Sequence, residues 1–518
     1  MNTVNMTLKD NYWEKYQFTE DDFEYLYNFL LEIEKPQTTD ELVSALIVHR
    51  ISEEKEHIRT NQMADSLIYQ PKLSFHLGDK IALPSLDWKI GTVISIQNAK
   101  NPINGVFKKV GVDLPGVGLK FYAAELEDHA LNLPVQFDDN DPQLKPDNVL
   151  ITYGKSLKLK LEKLLSENDD LVSIAGRWFP RSLLIDVNIG YLHLAEASLE
   201  MVGGGPLTTR KIMEQIEMPL TGNSNLSEFS LNLALQDDER FDEVGPAGEI
   251  LWFLNRSEPE WVRNSPVYLR FNDKFNEINN SSHDNNELSH LIIDELEPYE
   301  ESNVDSANVS LIYPHWRSGT LPLTGPIKSI FPTAYESPRV QFSFIEKNTK
   351  NHFNGWVVRR GNYIFGLREW YLKEEIIPGG IITIEKGDKS GTILISSEKR
   401  KTTRDWVRTV LIGTDGGIVF AMLKQSVPRV FDERLVNFVT DSKVLDEIWS
   451  SEKYSRSPLE KTLPLFMREL SKLNHQGQVH GEELYSAINL VRRCPPGIVI
   501  NTLNNAEWAE YMGNLYYR

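Results

Sequence analysis

The stretch of sequence that decides the fold reads YLHLAEASLEMVGGGPLTTRKIMEQIEM over residues 191–218 and NLSEFSLNLALQDDERFDEVGPAGEILWFL over residues 225–254. In its first part, Leu192, Ala195 and Leu199 recur at helical spacing. The Gly-Gly-Gly that follows ends this periodicity, because glycine adopts the left-handed backbone that closes a helix without steric cost. A first helix is therefore predicted before the glycines.

The remainder of this stretch predicts two further helices and a hairpin. Thr208 favours capping of a short second helix, and Phe229 begins the apolar face of a third. Two β-rich runs then flank the Gly-Pro-Ala-Gly turn at residues 245–248. Three helices followed by a hairpin, in this order, predict a winged-helix module over residues 191–265.

Three motifs in this module resemble a known family. They are Gly-Pro-Leu-Thr-Thr-x-x-Ile at residues 205–212, Leu-x-x-Asp-x-Arg-Phe at residues 235–241, and Gly248 followed by Leu251-Trp252. The module resembles the HARE-HTH winged helices, which include the delta subunit of bacterial RNA polymerase and modules fused to restriction enzymes and chromatin proteins. The resemblance covers about 65 of the 518 residues. It implies docking on DNA or on a transcription complex, and no catalysis.

The third predicted helix differs from a helix that reads DNA. The helix and the turn after it contain four carboxylates and a single arginine, and carboxylates repel the phosphates of a DNA groove. We therefore expect this helix to contact protein or to pack internally, while Arg210 and Lys211 give the preceding helix a basic spot. The residues predicted to mediate docking by the module are Arg210, Lys211, Glu228, Asp237, Asp238 and Arg240.

Upstream of the module, helical and β-rich segments alternate. Residues 18–70 show three helical runs, with breaks at Pro36 and near Arg50, which suits a helix-turn-helix domain. The next segment contains Gly-Asp-Lys-Ile at residues 78–81 and Gly-Thr-Val at residues 91–93, and it resembles the opening of a KOW or Tudor barrel, a small SH3-like fold. An amphipathic helix then leads into an apolar stretch, which we interpret as a connector.

Downstream, residues 266–308 are rich in Asn, Ser and acidic residues and predict a linker; a short helix around Leu288 to Leu296 is an alternative docking peptide. From residue 309 to residue 440, short alternating runs separated by Gly-rich turns predict a β-barrel or sandwich. The C-terminal residues predict another three-helix unit with a wing, in which Arg492 and Arg493 form a basic spot.

The fold class that follows is a multi-domain α+β protein, in which winged-helix modules are combined with a small SH3-like barrel and a larger all-β barrel or sandwich. A chain of 518 residues is too long for one hydrophobic core, which agrees with several domains. The predicted domains are a helical domain (1–72), an SH3-like barrel (73–145), a helical connector (146–190), the winged helix (191–265), an acidic linker (266–308), a basic β domain (309–440) and a C-terminal helical or winged-helix-like domain (441–518).

Charge is distributed unevenly along the chain. Its net charge is −19, but residues 327–434 contain 18 Lys and Arg against 12 Asp and Glu, a net charge of +6. Basic residues interleaved with aromatic ones are typical of a groove for a phosphate backbone or a single strand. The alternative is that the aromatic residues belong to the core and the basic residues lie on a solvated loop. The residues predicted to bind nucleic acid are Arg359, Arg360, Arg368, Lys399, Arg400, Lys401, Arg404, Trp406 and Arg408.

Signatures of enzymes are sparse. The phosphate-binding, dinucleotide-binding and hydrolase motifs are absent, and the lone Cys494 is insufficient for a zinc site next to His480-Gly481-Glu482. Asp388 with Glu398-Lys399-Arg400 faintly resembles the carboxylate–lysine arrangement of metal-dependent nucleases. We therefore predict no catalytic residue, metal site or cofactor, and a nuclease is a minor alternative.

The leading functional hypothesis is a non-enzymatic DNA-binding or transcription-associated protein. It would dock through winged helices and contact DNA through the basic β domain. The alternative is a protein–protein scaffold, for instance an accessory factor of RNA polymerase or of a defence complex. The single cysteine, an N-terminus without a secretion signal and the lack of long apolar runs lead us to expect a cytoplasmic protein with no membrane partner.

Overall fold

The structure, a computed structural model, describes residues 4–6, 11–63, 67–83, 86, 89–101, 105–129, 132, 135–137, 141–218, 224–271, 292–299, 302–389, 391–401, 404–414 and 416–518. The chain divides into two compact units, Met1–Leu184 and Ile185–Arg518. Helices and several separate sheets occur in both units, so the predicted mixed α+β class is confirmed.

The first unit combines a helical part with a five-stranded sheet. Its helices are α1 (Tyr12–Lys15), α2 (Glu20–Ile33), α3 (Thr39–Met63) and α4 (Pro146–Ser166). Its strands are β1 (Val4–Met6), β2 (Gln37–Thr38), β3 (Leu67–Ile68), β4 (Lys80–Leu83), β5 (Lys89–Asn101), β6 (Gly105–Leu114), β7 (Gly118–Ala124), β8 (Val135–Phe137), β9 (Leu171–Ile174) and β10 (Arg177–Pro180). Strands β3 to β7 form the five-stranded sheet in sequential order, and β2 joins β10 and β9 in a separate sheet.

Helix α3 corrects one prediction. Two helices with a break near Arg50 were expected, and this is wrong, because a single helix runs from Thr39 to Met63. The reason is that no glycine or proline interrupts these residues. The helix begins where Thr38 Oγ1 accepts a hydrogen bond from the Glu41 amide at 3.2 Å and the Glu41 carboxylate accepts one from the Thr38 amide at 2.7 Å.

The second unit contains the remaining elements. Its helices are α5 (Ile189–Met201), α6 (Thr209–Gln215), α7 (Ser224–Gln236), α8 (Glu260–Arg263), α9 (Tyr313–Ser318), α10 (Gly325–Lys328), α11 (Arg368–Lys373), α12 (Ser442–Ser451), α13 (Leu459–Ser471), α14 (Gly481–Ile488) and α15 (Pro496–Asn504). Its strands are β11 (Leu207–Thr208), β12 (Phe241–Glu243), β13 (Leu251–Leu254), β14 (Ser306–Ser310), β15 (Thr320–Pro322), β16 (Arg339–Glu346), β17 (His352–Val358), β18 (Tyr363–Phe365), β19 (Ile381–Lys386), β20 (Thr392–Ser396), β21 (Arg404–Ile412), β22 (Ile418–Ser426), β23 (Phe438–Val439), β24 (Val479–His480), β25 (Tyr511–Gly513) and β26 (Tyr516–Tyr517).

The second unit contains a seven-stranded mixed sheet with the strand order β14-β19-β20-β16-β17-β18-β15. Strand β16 pairs in parallel with β20 and antiparallel with β17. A second sheet has the order β22-β21-β23, and its inner face packs on the C-terminal helices. The rings of Phe420 on β22 and Phe466 on α13, for example, lie 6.1 Å apart.

One arrangement of elements occurs three times: a helix, a short strand, two helices and two strands, with the last strand at the centre of a three-stranded sheet. The N-terminal repeat is α2-β2-α3-α4-β9-β10, in which the five-stranded sheet is inserted between α3 and α4. The central repeat is α5-β11-α6-α7-β12-β13. The C-terminal repeat is α13-β24-α14-α15-β25-β26. The stretch expected to be a connector thus completes the N-terminal repeat with α4, β9 and β10.

The pairing of the first strand with the last strand has the same register in the three small sheets. In the N-terminal repeat Trp178 pairs with Gln37, and its indole donates to Thr39 Oγ1 at 3.1 Å. In the central repeat Trp252 pairs with Leu207 and donates to Thr209 Oγ1 at 3.2 Å. The C-terminal equivalents are Tyr517 and Val479, and this tyrosine donates to Asn504 on the third helix at 2.9 Å. A buried aromatic side chain thus links the central strand to a helix in every repeat.

The third helices of the repeats differ in exposure. On α7 only the terminal residues, Ser224 and Gln236, are exposed, and on α15 only Asn504 is. Helix α4 instead has an exposed stripe along its length, on which Ile151 is 84% and Leu159 is 63% exposed. The same topology therefore leaves one third helix accessible and covers the other two.

Candidate nucleic-acid interface

A patch of cations surrounds an exposed tryptophan on the hairpin β21–β22. Trp406 is 62% exposed and pairs across the strands with Lys424. Because side chains alternate along a strand, Arg404 lies on the same face as Trp406, and it is also exposed. Lys399 and Lys401 are exposed in the segment that leads into β21. We call Lys399, Lys401, Arg404, Trp406 and Lys424 the hairpin patch.

The cations of the hairpin patch form no ion pair with the described residues. The nearest carboxylate along β21, Asp405, pairs with Arg400 at 2.6 Å, and this hydrogen bond lowers the pKa of Asp405. Glu398 is the other exposed carboxylate of the segment. A flat aromatic ring with unpaired cations on two strands can stack on a planar base while the cations contact phosphates.

Two predicted contact residues, Arg400 and Arg368, have structural roles instead. Arg400 stacks on the ring of Phe431, with 4.5 Å between the guanidinium carbon and the ring centroid. Arg368 donates to the carbonyl oxygens of Trp316 and Arg317 at 3.2 and 3.0 Å. These guanidinium groups hold chain segments together.

Arg408 is the clearest correction within the predicted set. It is 4% exposed and donates to Asn437 Oδ1 at 2.9 Å and to Glu483 Oε1 at 3.0 Å. Burial lowers the pKa of its guanidinium, and the carboxylate of Glu483 opposes that shift. The side chain joins β21 to α14. Because side chains alternate along β21, Arg408 lies on the same face of the strand as Trp406. It is buried, however, and the spacing of residues in the sequence did not predict this burial.

Arg359 and Arg360 are exposed but lie away from the hairpin patch. They follow the last residue of β17, Val358, which pairs with the first residue of β16. Lys399 follows β20, which runs parallel to β16 and ends beside the last residue of β16. The two groups thus lie at opposite ends of the sheet, roughly 25 Å apart along eight strand residues. The single basic groove predicted from sequence is not assembled.

Four of the six predicted docking residues of the central repeat form ion pairs with one another. Arg240 contacts Asp238 at 2.6 Å and Glu196 at 2.5 Å, and Arg210 contacts Glu228 at 3.0 Å. Lys211 and Asp237 are exposed, and neither forms an ion pair with another described residue. The pair between Arg210 and Glu228 links α6 to α7, so these charges stabilise the repeat internally.

The hairpin of the central repeat is packed against the seven-stranded sheet. The carbonyl of Val244 accepts from the Gln341 amide at 2.8 Å, and the Ala247 amide donates to the Thr333 carbonyl at 2.6 Å. Glu243 also accepts a hydrogen bond from the Ser337 hydroxyl. Burial raises the pKa of Glu243 to about 7. This hairpin is therefore not free to enter a DNA groove.

Sequence reasoning missed a buried ionic network. Residues 292–299, predicted as part of a linker, are instead inserted into the second unit. Arg492 and Arg493, predicted to form a basic spot, are both buried. Arg493 contacts Asp294 at 2.5 Å and Glu295 at 2.9 Å, and His315 contacts Glu295 at 2.8 Å. Burial raises the pKa of Glu295, but the charges of Arg493 and His315 outweigh it and lower the value to about 2. The rest of the docking-peptide alternative, residues 288–291, lies outside the described residues.

The residues that faintly resemble a metal-dependent nuclease site, Asp388 and Glu398, do not lie close together. Asp388 lies at the turn between β19 and β20, whereas Glu398 follows the far end of β20, beyond the pair formed by Thr383 and Ser396. His480 is 3% exposed and caps α14 by accepting from the Glu482 amide at 3.2 Å. Burial and Arg434 lower the pKa of His480 to about 4, and burial raises the pKa of Cys494 to about 12.

Among the described residues, no group of His, Cys, Asp and Glu has the geometry to hold a metal ion. Within the same residues, no helix combines the length and apolarity needed to cross a bilayer. Sequence analysis missed Lys424, a residue of the hairpin patch. The register of β21 and β22 places Lys424 opposite Trp406, so aligning the two strands would have identified it.

In comparisons with known proteins, no family model, no curated protein and no solved structure matches this chain.

Proposed function

We propose that the protein is a non-enzymatic nucleic-acid-binding protein that uses the hairpin patch to hold a single strand. The exposed Trp406, with unpaired cations on both sides, carries the proposal. Tryptophan is usually buried because its large apolar surface is costly to hydrate. A solvent-facing Trp406 beside Arg404 and Lys424 has the chemistry of a base-stacking platform.

The expected affinity is moderate and depends on salt. Stacking of a base on an aromatic side chain contributes about 1–3 kcal/mol. Each cation that neutralises a phosphate releases counterions, so the affinity falls as salt rises. The overall charge of −19 limits nonspecific attraction, which confines binding to the patch.

We further propose that the three repeats are winged helices and that the inserted sheet is an SH3-like barrel. The order of elements and the shared strand register support the first part. In this proposal the central repeat serves as an internal packing element. Its covered third helix and its hydrogen-bonded hairpin support that role over docking on a transcription complex.

The alternative function is a protein–protein scaffold. The outer face of the inserted sheet favours it, because Ile94, Leu119 and Phe121 are 51%, 47% and 48% exposed. A stoichiometric partner recovered from cell extract by the wild type but not by Phe121→Ser would support this alternative. Recovery of no such partner would count against it.

Fluorescence anisotropy with a labelled oligothymidylate of about 20 nucleotides tests the hairpin patch. We expect Trp406→Ala to weaken binding about 10-fold, and the triple variant Lys399→Ala, Lys401→Ala, Arg404→Ala to flatten the dependence of Kd on salt. Arg360→Ala is the matched control, because Arg360 is also exposed but lies at the opposite end of the sheet. Equal affinities for the wild type and both patch variants would refute the proposal.

A further inference from the structure

The outward stripe of α4 is an exposed face of the N-terminal repeat. It consists of Asn148, Ile151, Thr152, Lys155, Ser156 and Leu159, all exposed. The stripe follows the spacing of residues three and four apart, so it forms one straight face. From Ile151 to Leu159 it extends about 12 Å along the helix axis. Within the described residues of the unit, no hydrogen bond or ion pair engages Lys155.

The opposite face of α4 fixes the helix firmly in the repeat. Val149, Leu157, Leu161 and Leu165 are buried in the core shared with α2 and α3. At the side of the helix, Lys158 pairs with Asp40 at 2.6 Å, and Lys160 donates to two backbone carbonyls at 3.0 and 3.1 Å. The outward stripe is therefore presented on a rigid support, as recognition by a helix requires.

The stripe also has the chemistry that the other two third helices lack. Helix α7 contains Glu228 and no basic residue, and α15 contains no charged residue. Helix α4 contains four lysines against two carboxylates, Asp147 and Glu162. Side chains of Asn, Lys, Ser and Thr hydrogen-bond to base edges, and an aliphatic side chain packs on the thymine methyl group.

We infer that the outward stripe of α4 binds in the major groove of duplex DNA. The third helix of a three-helix unit enters this groove, which is about 12 Å wide, when its outer face is free and not acidic. In this chain only α4 meets both conditions among the three repeats. The stripe spans about 12 Å, which corresponds to three or four base steps.

A second copy of the chain is a poorer occupant of the stripe. In an antiparallel pairing of two stripes about a twofold axis, Lys155 at the centre would face its own copy, and the like charges repel. A phosphate or a guanine edge has the complementary charge for the same lysine. The inference does not depend on the hairpin patch, which lies in the other unit.

The test uses the full chain and two labelled probes, a random-sequence duplex of about 25 base pairs and the oligothymidylate. The variants Lys155→Glu and Ile151→Glu change exposed side chains only, so folding is retained, and a thermal melt verifies it. Lys100→Glu, at an exposed lysine of β5, is the control with the same charge change. We expect both stripe variants to weaken duplex binding at least 10-fold, with oligothymidylate binding unchanged within twofold.

Three outcomes would overturn the inference. The first is a wild type that fails to bind the duplex at micromolar concentrations. The second is duplex affinity that is unchanged in both stripe variants. The third is an equal loss for the duplex and the oligothymidylate, or an equal loss in Lys100→Glu, because either would show a general charge effect. Failure of the hairpin patch is distinguished by Trp406→Ala, which is expected to affect the oligothymidylate alone.

Discussion

The N-terminal and central repeats share a topology and a tryptophan–threonine hydrogen bond, but they present their third helices in opposite ways. Helix α4 exposes Ile151 to 84%, whereas Leu231 on α7 is completely buried. The central hairpin is hydrogen-bonded to Gln341 on β16 and to Thr333. In the N-terminal repeat, β9 and β10 are joined by the two-residue turn Ala175-Gly176. The comparison shows that an arrangement of helices and strands does not specify a binding function, because the packing around it decides which face a ligand can reach.

The largest expected difference between the repeats comes from a lysine on each third helix. Leu231→Lys places a charge at a site with no exposed surface, so we expect a loss of about 4 kcal/mol in the free energy of unfolding. Ile151→Lys keeps the new charge in water, and its effect is expected to stay within about 0.5 kcal/mol. Urea titration followed by circular dichroism measures both. Similar losses in the two variants would mean that α4 is also covered.

An intermediate effect is expected from the shared tryptophans. The Trp252 indole donates to both Thr209 and Asn232, at 3.2 and 3.0 Å, whereas the Trp178 indole donates to Thr39 alone. Replacement by phenylalanine leaves buried acceptors without this donor. We expect a loss of about 2 kcal/mol for Trp252→Phe and about 1 kcal/mol for Trp178→Phe. The opposite order in urea unfolding would show that the bond to Asn232 adds nothing.

The smallest expected effect is a dependence of stability on pH that originates in the central hairpin. Burial raises the pKa of Glu243 in the central hairpin to about 7. The raised pKa of Glu243 contributes stability that is fully present below the ordinary pKa of glutamate. It is lost as the pH rises toward 7, because the unfolded chain releases the proton first. We expect Glu243→Gln to remove on the order of 1 kcal/mol of this pH dependence between pH 5 and pH 7.5.

Thermal melts over that pH range measure the effect of Glu243→Gln. Glu336→Gln is a suitable control, because Glu336 lies close to Glu243 in the chain's fold and raises its pKa only as a minor contributor. Parallel pH profiles for the wild type and Glu243→Gln would show that the buried carboxyl is not the origin of the pH dependence.

The sequence of the central repeat predicted its helices and its hairpin, because local signals suffice there. Thr208 caps α6 through its hydroxyl, as expected, and the Gly-Gly-Gly follows α5 after the C-cap residue Val202. The short strand β11 was missed, because two residues are too few for a periodic pattern. Local capping and periodicity therefore define helices well and very short strands poorly.

The N-terminal repeat was not recognised as a whole because its parts are far apart in the sequence. The inserted sheet separates α3 from α4, so no local window contains the complete arrangement. One signal was nevertheless present: Glu-Leu-Val-Ser-Ala-Leu at residues 41–46 is similar to Glu-Leu-Tyr-Ser-Ala-Ile at residues 483–488. Both segments lie in the second helix of a repeat. A search for internal similarity at long separation would have related the two repeats.

The candidate site was predictable only in part. Composition identified the basic segment, and Lys399, Lys401, Arg404 and Trp406 are exposed together. The buried role of Arg408 depends on Glu483, which is distant in the sequence. Long-range ion pairs and the separation of sheet ends have no periodic signature, so they required the three-dimensional structure.

The inserted sheet also delays the synthesis of α4 relative to α2 and α3. Met63 closes α3, and α4 begins at Pro146, so the ribosome adds more than eighty residues between the second and third helices of one repeat. At about 5–20 residues per second this takes roughly 4–16 s, during which the apolar sides of α2 and α3 lack their partner. The insert has its own core, with Ile81, Val93 and Val110 buried, and its sequential strands can pair as they emerge. A nascent chain therefore holds a finished insert beside an incomplete helical core, and chaperone capture at this stage of translation is the expected consequence.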